Sequence, residues 1–162
     1  MLEEMLKNVR EKSPLIHNIT NYVTVNDCAN VVLACGASPI MADDQEEVAE
    51  ITSICTGLNN ELNHPVVLDP VGVGASTLRT QTALKLLDEI QFSVIRGNIS
   101  EIKTLALGSG TTKGVDANIA DKVTKENIKE VVRFAQEFSR KTGAIIAITG
   151  AIDLVCNKEK AF

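Results

Sequence analysis

The sequence predicts an α/β domain built on a mostly parallel sheet. Residues 65–68 and 144–148 are continuous apolar runs of strand length, which is typical of strands covered on both faces. Segments with helical periodicity separate the strand candidates, as right-handed crossover connections require. At 162 residues and 44% hydrophobic, the chain is expected to form one domain, residues 1–162, with a packed core.

Six helices are predicted from apolar spacing and end signals. The second begins at Thr20 or Thr24 and stops at Gly36, and the third opens on a capping-box-like acidic run at 43–47. The predicted helices cover residues 1–10, about 20–34, 43–57, 78–90, a short segment from Ser100, and about 124–141.

Strands are predicted between these helices, and the last of them forms a hairpin. A polar, glycine-bearing loop is expected at 108–120. The predicted strands are 13–18, 37–41, 65–68, 93–95, 144–148 and 152–156.

Two joints do not fit a complete α/β domain. Only residues 58–64 connect the third helix to the strand at 65, whereas a parallel crossover needs roughly a dozen residues or more. We therefore expect a missing strand and helix, seen as a chain break or gap near 56–61. Residues 158–162 end where a second hairpin strand should begin, so a C-terminal part is also expected to be absent.

Charge and cysteine spacing exclude several function classes. The net charge is -5, and no Lys/Arg-rich stretch could neutralise a phosphate backbone, so no nucleic-acid partner is expected. No apolar segment has the length of a signal peptide or membrane span, which predicts a cytoplasmic protein. The cysteines at 28, 35, 55 and 156 form no CxxC pair, so no zinc site is expected.

The first candidate site follows the strand at 65–68. Asp69 stands at the strand end, and Gly72 and Gly74 could let a ligand approach backbone amides. A turn in which Asp69 caps and the glycines supply positive φ explains the same residues equally well. The match to a dinucleotide fingerprint is weak, because Thr77 replaces the third glycine and Pro70 interrupts the turn.

A second candidate site lies where the strand at 93–95 meets the next helix. Arg96 is suited to phosphate, and Glu101 could hold Mg²⁺ directly or through water. Helix capping by Asn98 or Ser100, with Glu101 complementing the helix dipole, is the simpler explanation of this segment taken alone. Thr149, at the end of another strand, could bond a nucleotide phosphate, although a strand end is unspecific.

Polar groups cluster in residues 17–22, just before a predicted helix. Met41 stands at the end of another predicted strand, where it offers an apolar contact. An isolated His or Met is more often a core residue than a ligand-binding one.

Five segments together resemble the hydroxyethylthiazole kinase family of thiamin salvage. The Asp-Pro-Val-Gly-Val-Gly-Ala block at 69–75 is the most diagnostic, and the resemblance runs from about Pro14 to the C-terminus. The resemblance implies a ribokinase-like three-layer sandwich, here incomplete, which forms a homotrimer and transfers phosphate from ATP with Mg²⁺. The segments are 17–22, 36–43, 65–75, 96–102 and 148–150.

The resemblance also implies roles for individual residues. Asn21 and Met41, with Gly72 and Gly74, would contact the thiazole alcohol. The catalytic carboxylates Asp69 and Glu101 would organise Mg²⁺. The ATP-binding residues would be Arg96, Asn98 and Thr149.

The family's glycine-rich anion loop, which carries a cysteine, has no counterpart in this sequence, so no cysteine receives a catalytic role. Two alternatives remain open. One is another ribokinase-like kinase, such as one acting on hydroxymethylpyrimidine, and the other is a non-catalytic nucleotide- or thiazole-binding protein.

Overall fold

The computed structural model describes residues 2–56, 65–108 and 122–162. The described helices are α1 (Leu2–Lys12), α2 (Val25–Cys35), α3 (Val48–Ile54), α4 (Thr77–Glu89), α5 (Ile99–Leu107) and α6 (Ile128–Thr142). The described strands are β1 (Leu15–Asn18), β2 (Ser38–Met41), β3 (Val67–Leu68), β4 (Val94–Asn98), β5 (Ile145–Thr149) and β6 (Leu154–Cys156). They fall into two compact units, residues 1–65 and 66–162.

The N-terminal unit is a β-α-β element flanked by α1 and α3. Strands β1 and β2 pair in parallel, with His17 opposite Ile40 and Asn18 opposite Met41, and α2 connects them. Helix α2 ends as predicted at Gly36, whose φ of 93° lets its N–H bond to the Leu33 carbonyl.

The C-terminal unit contains a four-stranded sheet in the order β3-β4-β5-β6. The first three strands are parallel and β6 is antiparallel to β5, so the predicted mostly parallel sheet and terminal hairpin are confirmed. Helices α4 and α5 pack against each other, α5 packs on β4, and α6 packs on β5 and β6. The largest side chains with less than 2% exposure are Ile95, Ile102, Ile146, Ile148 and Cys156.

Two local predictions are wrong. Val67 is 58% exposed while Leu68 is 8% exposed, because β3 pairs only with β4 among the described strands and its alternate side chains face opposite sides. Helix α3 has no side-chain cap from the acidic run, since Asp44 Oδ1 instead accepts the Glu46 N–H, 2.8 Å away, in a local turn before the helix.

The predicted break near 56–61 and the loop at 108–120 fall mainly on residues 57–64 and 109–121, which lie outside the described residues. No helix in the described ranges is long and apolar enough to cross a membrane. All four cysteines are free, and burial raises the pKa of the Cys55 and Cys156 thiols. A raised pKa suits packing residues better than nucleophiles.

Candidate functional site

Asp69 and Arg96, two charged residues of the C-terminal unit, meet where β3 ends beside β4. Leu68 pairs with Ile95, so the next residues along each strand, Asp69 and Arg96, lie side by side. Arg96 Nη1 donates to Asp69 Oδ2 over 2.6 Å. The Arg96 and Asp69 side chains are 50% and 36% exposed, so this ion pair remains open to solvent and to ligands. Carboxyl ends of parallel strands are where α/β proteins bind ligands.

Glu101 joins this cluster through two backbone amides. Its Oε2 accepts the Asn98 N–H over 2.9 Å, and Asn98 Oδ1 accepts the Glu101 N–H over 2.8 Å, which forms a capping box at the start of α5. Its Oε1 accepts the Gly72 N–H over 3.0 Å. Glu101 therefore caps α5, as the simpler explanation of the sequence predicted, and its carboxylate also connects the glycine loop to α5 by a hydrogen bond.

The glycine loop, residues 70–75, is held by side chains that the sequence reasoning missed. Thr80 Oγ1 accepts the Gly74 N–H over 2.9 Å, and Arg79 Nη1 donates to the Val71 carbonyl over 3.0 Å. In this conformation the amides of Gly72 and Gly74 thus bond to protein groups and not to open solvent, unlike the expectation from sequence. Their short distance in sequence from the loop could have indicated these contacts, since Arg79 and Thr80 lie in the first turn of the helix that follows it.

Gly72 should tolerate no side chain without a loss of stability. Its φ is +76°, and a Cβ there would stand 2.9 Å from Arg79 Nη1. We expect Gly72→Ala to lower the free energy of unfolding by about 1–2 kcal/mol, mainly through left-handed backbone strain, in urea denaturation. Gly150→Ala is the control, because the nearest atom to a Cβ there is 3.9 Å away. Equal losses in the two variants would contradict the prediction.

Thr149 stands beside Asn98 at the same sheet edge, because the two residues are register partners in β5 and β4. Thr149 Oγ1 donates to the Gly97 carbonyl over 3.4 Å, a long bond that a better acceptor could replace. Immediately after it, the Gly150 N–H donates to Asp153 Oδ1 over 3.0 Å and closes the turn into β6.

The residues assigned to the thiazole lie in the N-terminal unit. Asn21 is exposed, and its Oδ1 accepts the N–H groups of Val23 and Thr24 at 2.9 and 3.2 Å, which turns the chain into α2. Met41 is half-buried at the end of β2. The structure thus places Asn21 and Met41 in one unit and the charged cluster in the other.

The chemistry of the charged cluster fits a magnesium–nucleotide complex. Magnesium prefers oxygen ligands and is usually held by one or two carboxylates together with substrate phosphates. Asp69 and Glu101 provide such carboxylates beside Arg96. Within the described residues, no group of three or more His, Cys, Asp or Glu side chains could hold a metal alone. A mostly parallel α/β sheet with exposed charged side chains at its carboxyl edge is typical of the class of α/β proteins that bind ligands at that edge.

Comparison with known proteins identifies the family within this class. The model of the hydroxyethylthiazole kinase family matches residues 6–59 and 55–162. The chain is similar to the hydroxyethylthiazole kinase of Clostridium acetobutylicum, with 63% identity over all of this chain and 67% of that protein. It is 49% identical to the enzyme of Clostridium tetani over 97% of this chain and 64% of that protein. The chain therefore belongs to the hydroxyethylthiazole kinase family.

A solved structure agrees with this assignment. The hydroxyethylthiazole kinase protein of Pyrococcus horikoshii OT3 superposes with a TM-score of 0.79 at 33% identity and covers 98% of this chain. The chain spans about two thirds of its relatives' length, between 64% and 67% for these three proteins. The alignment with the Clostridium acetobutylicum relative occupies 183 positions, 21 more than the 162 residues of this chain.

Proposed function

We propose that this protein uses ATP to phosphorylate the hydroxyethyl group of 4-methyl-5-(2-hydroxyethyl)thiazole in thiamin biosynthesis. The observation that carries the proposal is the Asp69–Arg96 ion pair at the carboxyl edge of the sheet, with Glu101 bound to the Gly72 amide of the adjoining glycine loop, in a member of this family. Phosphoryl transfer needs positioned charges more than covalent help from the protein, and this cluster supplies such charges.

In the proposed mechanism, Arg96 binds the ATP phosphates, aided by Asn98 and Thr149. Asp69 and Glu101 would hold Mg²⁺, which when bound would neutralise negative charge on the phosphates. Arg96 and Asp69 pair with each other over 2.6 Å, so both must exchange partners when the nucleotide arrives. Glu101 keeps α5 and the glycine loop together while this exchange takes place.

For the acceptor alcohol, Met41 is proposed to form an apolar wall and Asn21 a polar contact in the N-terminal unit. In the C-terminal unit, Gly72 and Gly74 are proposed to let a ligand approach their Cα atoms. Glycine permits such close approach without a side chain. A homotrimer with sites at subunit interfaces is proposed from the family resemblance. The cytoplasm is the proposed location, because the reaction consumes ATP.

We also propose that a strand and helix of the family are missing between α3 and β3. The two family matches meet at residues 55–59, and 21 alignment positions lack a residue of this chain. Thr56 supports this proposal, because its N–H donates to the Leu15 carbonyl over 2.9 Å and its Oγ1 accepts the Leu15 N–H over 2.8 Å. The chain after α3 therefore starts alongside β1, as a neighbouring parallel strand would.

Two measurements test the proposed function. Calorimetry with Mg²⁺·ATP and with the thiazole alcohol measures each binding step separately, and mass spectrometry detects the phosphorylated alcohol. We expect both ligands to bind and the product to form only with ATP and Mg²⁺. Preference for hydroxymethylpyrimidine would favour the other small-alcohol kinase, and binding of ATP and thiazole without product would favour a non-catalytic binding protein.

A further inference from the structure

His17 is a buried histidine that the proposed mechanism does not use. It lies in β1, is 3% exposed, and sits opposite Ile40 of β2. Both of its ring nitrogens have partners. Nε2 is 2.6 Å from the Ala42 carbonyl oxygen, and Nδ1 is 3.0 Å from Thr52 Oγ1. One imidazole therefore connects β1, the residue after β2, and α3.

The chemistry of the two partners determines where the ring carries hydrogen. A carbonyl oxygen only accepts, so Nε2 must be protonated and donate to Ala42. The hydroxyl of Thr52 lies 2.6 Å from the Val48 carbonyl as well as 3.0 Å from Nδ1. With its hydrogen on Nε2, the ring can only accept at Nδ1, so Thr52 holds the ring with Nε2–H aimed at Ala42 when its hydroxyl donates to Nδ1 and not to the Val48 carbonyl.

The bond to Ala42 matters because it acts just beyond the strand ladder. The ladder between β1 and β2 ends at the pair Asn18 and Met41, and Ala42 is the next residue. Ala42 is 3% exposed, so water cannot readily replace a lost partner for its carbonyl. His17 thus extends the attachment of β2 to β1 by one residue, past Met41.

We propose that His17 is a positioning residue for the acceptor alcohol. Held by Thr52, it fixes the Met41–Ala42 strand end and so sets the place of the Met41 side chain. This inference rests on the proposed function for Met41 as the apolar wall of the acceptor site. The ligand is the heteroaromatic alcohol of the proposed function. The half-buried thioether of Met41 offers its ring an apolar, polarisable contact.

Methionine-methyl NMR tests the placement of Met41 without any ligand. The chain has three methionines, and Met5, 59% exposed on α1, serves as an internal reference. His17→Phe removes both ring hydrogen bonds, whereas His17→Gln retains an amide donor near the Nε2 position. We expect the Met41 methyl signal to shift and broaden in His17→Phe, to move much less in His17→Gln, and the Met5 signal to stay unchanged in both.

Calorimetry on the same variants tests whether the position of Met41 affects the affinity for the thiazole alcohol. Loss of a hydrogen bond to a buried carbonyl should weaken binding of the thiazole alcohol by about tenfold in His17→Phe and leave Mg²⁺·ATP affinity within about twofold. Thr52→Val, which keeps the size and removes the hydroxyl, should give an intermediate shift and loss, and it replaces His17→Phe if that variant does not fold.

The outcomes separate the two proposals. An unchanged Met41 methyl signal in both His17→Phe and Thr52→Val would overturn the positioning role. If the Met41 signal is perturbed in the variants but the wild-type chain binds no thiazole alcohol, the proposed function would be overturned and only the structural coupling between His17 and Met41 would remain. Equal losses of thiazole and ATP binding would show general destabilisation and would also overturn the inference.

Discussion

Glu101→Gln is expected to lower turnover by about 100-fold or more, with a much smaller change in affinity for the thiazole alcohol. The carboxylate accepts the Gly72 N–H of the glycine loop that follows Asp69, and in the proposed mechanism it would hold the metal at the transferring phosphoryl group, where charge develops. A contact that strengthens as this charge develops lowers the barrier, whereas one equally strong in the ground state changes only affinity. Gln keeps the size of the side chain and removes its charge.

The structure adds a second expected effect of the same variant. Both Glu101 oxygens accept backbone N–H groups, from Gly72 and Asn98, whereas Gln offers one oxygen and turns an amide donor toward the other N–H. We therefore expect a loss of about 1–2 kcal/mol in the free energy of unfolding.

Glu130→Gln, in the first turn of α6, is the matched control for charge and helix dipole. Steady-state kinetics across a Mg²⁺ titration and a thermal melt measure the two effects. Wild-type-like turnover of Glu101→Gln at limiting Mg²⁺ would remove Glu101 from the catalytic set and leave it as a cap.

Arg96→Met is expected to weaken binding of Mg²⁺·ATP by about 10- to 100-fold, which corresponds to about 1.5–3 kcal/mol for a charge-assisted hydrogen bond. The guanidinium is the cation at the sheet edge that pairs with Asp69, and its half-exposed position lets a phosphate reach it. Arg140→Met on α6 is the control, because Arg140 is exposed in the last turn of the helix, which leads into the amino end of β5. Calorimetry should detect no change in that variant.

Asp69→Asn should strengthen the binding of ATP in the absence of Mg²⁺, the opposite of the effect expected for Arg96→Met. In the wild type, binding of phosphate to Arg96 competes with an exposed ion pair of about 0.5–1 kcal/mol. Removing the carboxylate should therefore raise the affinity for ATP without Mg²⁺ by about two- to fivefold. It should also reduce the increase in ATP affinity that Mg²⁺ provides. Weaker Mg²⁺-free binding in Asp69→Asn would show that Arg96 and Asp69 do not exchange partners.

Local patterns in the sequence determined most of the fold. Apolar periodicity indicates each described helix, and Gly36 ends α2 as predicted, because these signals act within a few residues. The start signal failed for α3, which begins at Val48 and not in the acidic run at 43–47. The short joint at 58–64 indicated a missing crossover from chain length alone, since a parallel connection has a minimum span. The motifs also indicated which polar residues could bind a ligand, although they left capping and ligand binding equally open for Asp69 and favoured capping for Glu101.

Contacts between distant residues were decided only by the tertiary structure. Strand register sets Asp69 beside Arg96, 27 residues away, and Glu101 against Gly72, 29 residues away. His17 reaches Ala42, 25 residues away, and Thr52, 35 residues away, although neither pairing has a periodic signal in the sequence. The physical reason is that a hydrogen bond depends on three-dimensional distance and direction, which pairing and packing of the elements set.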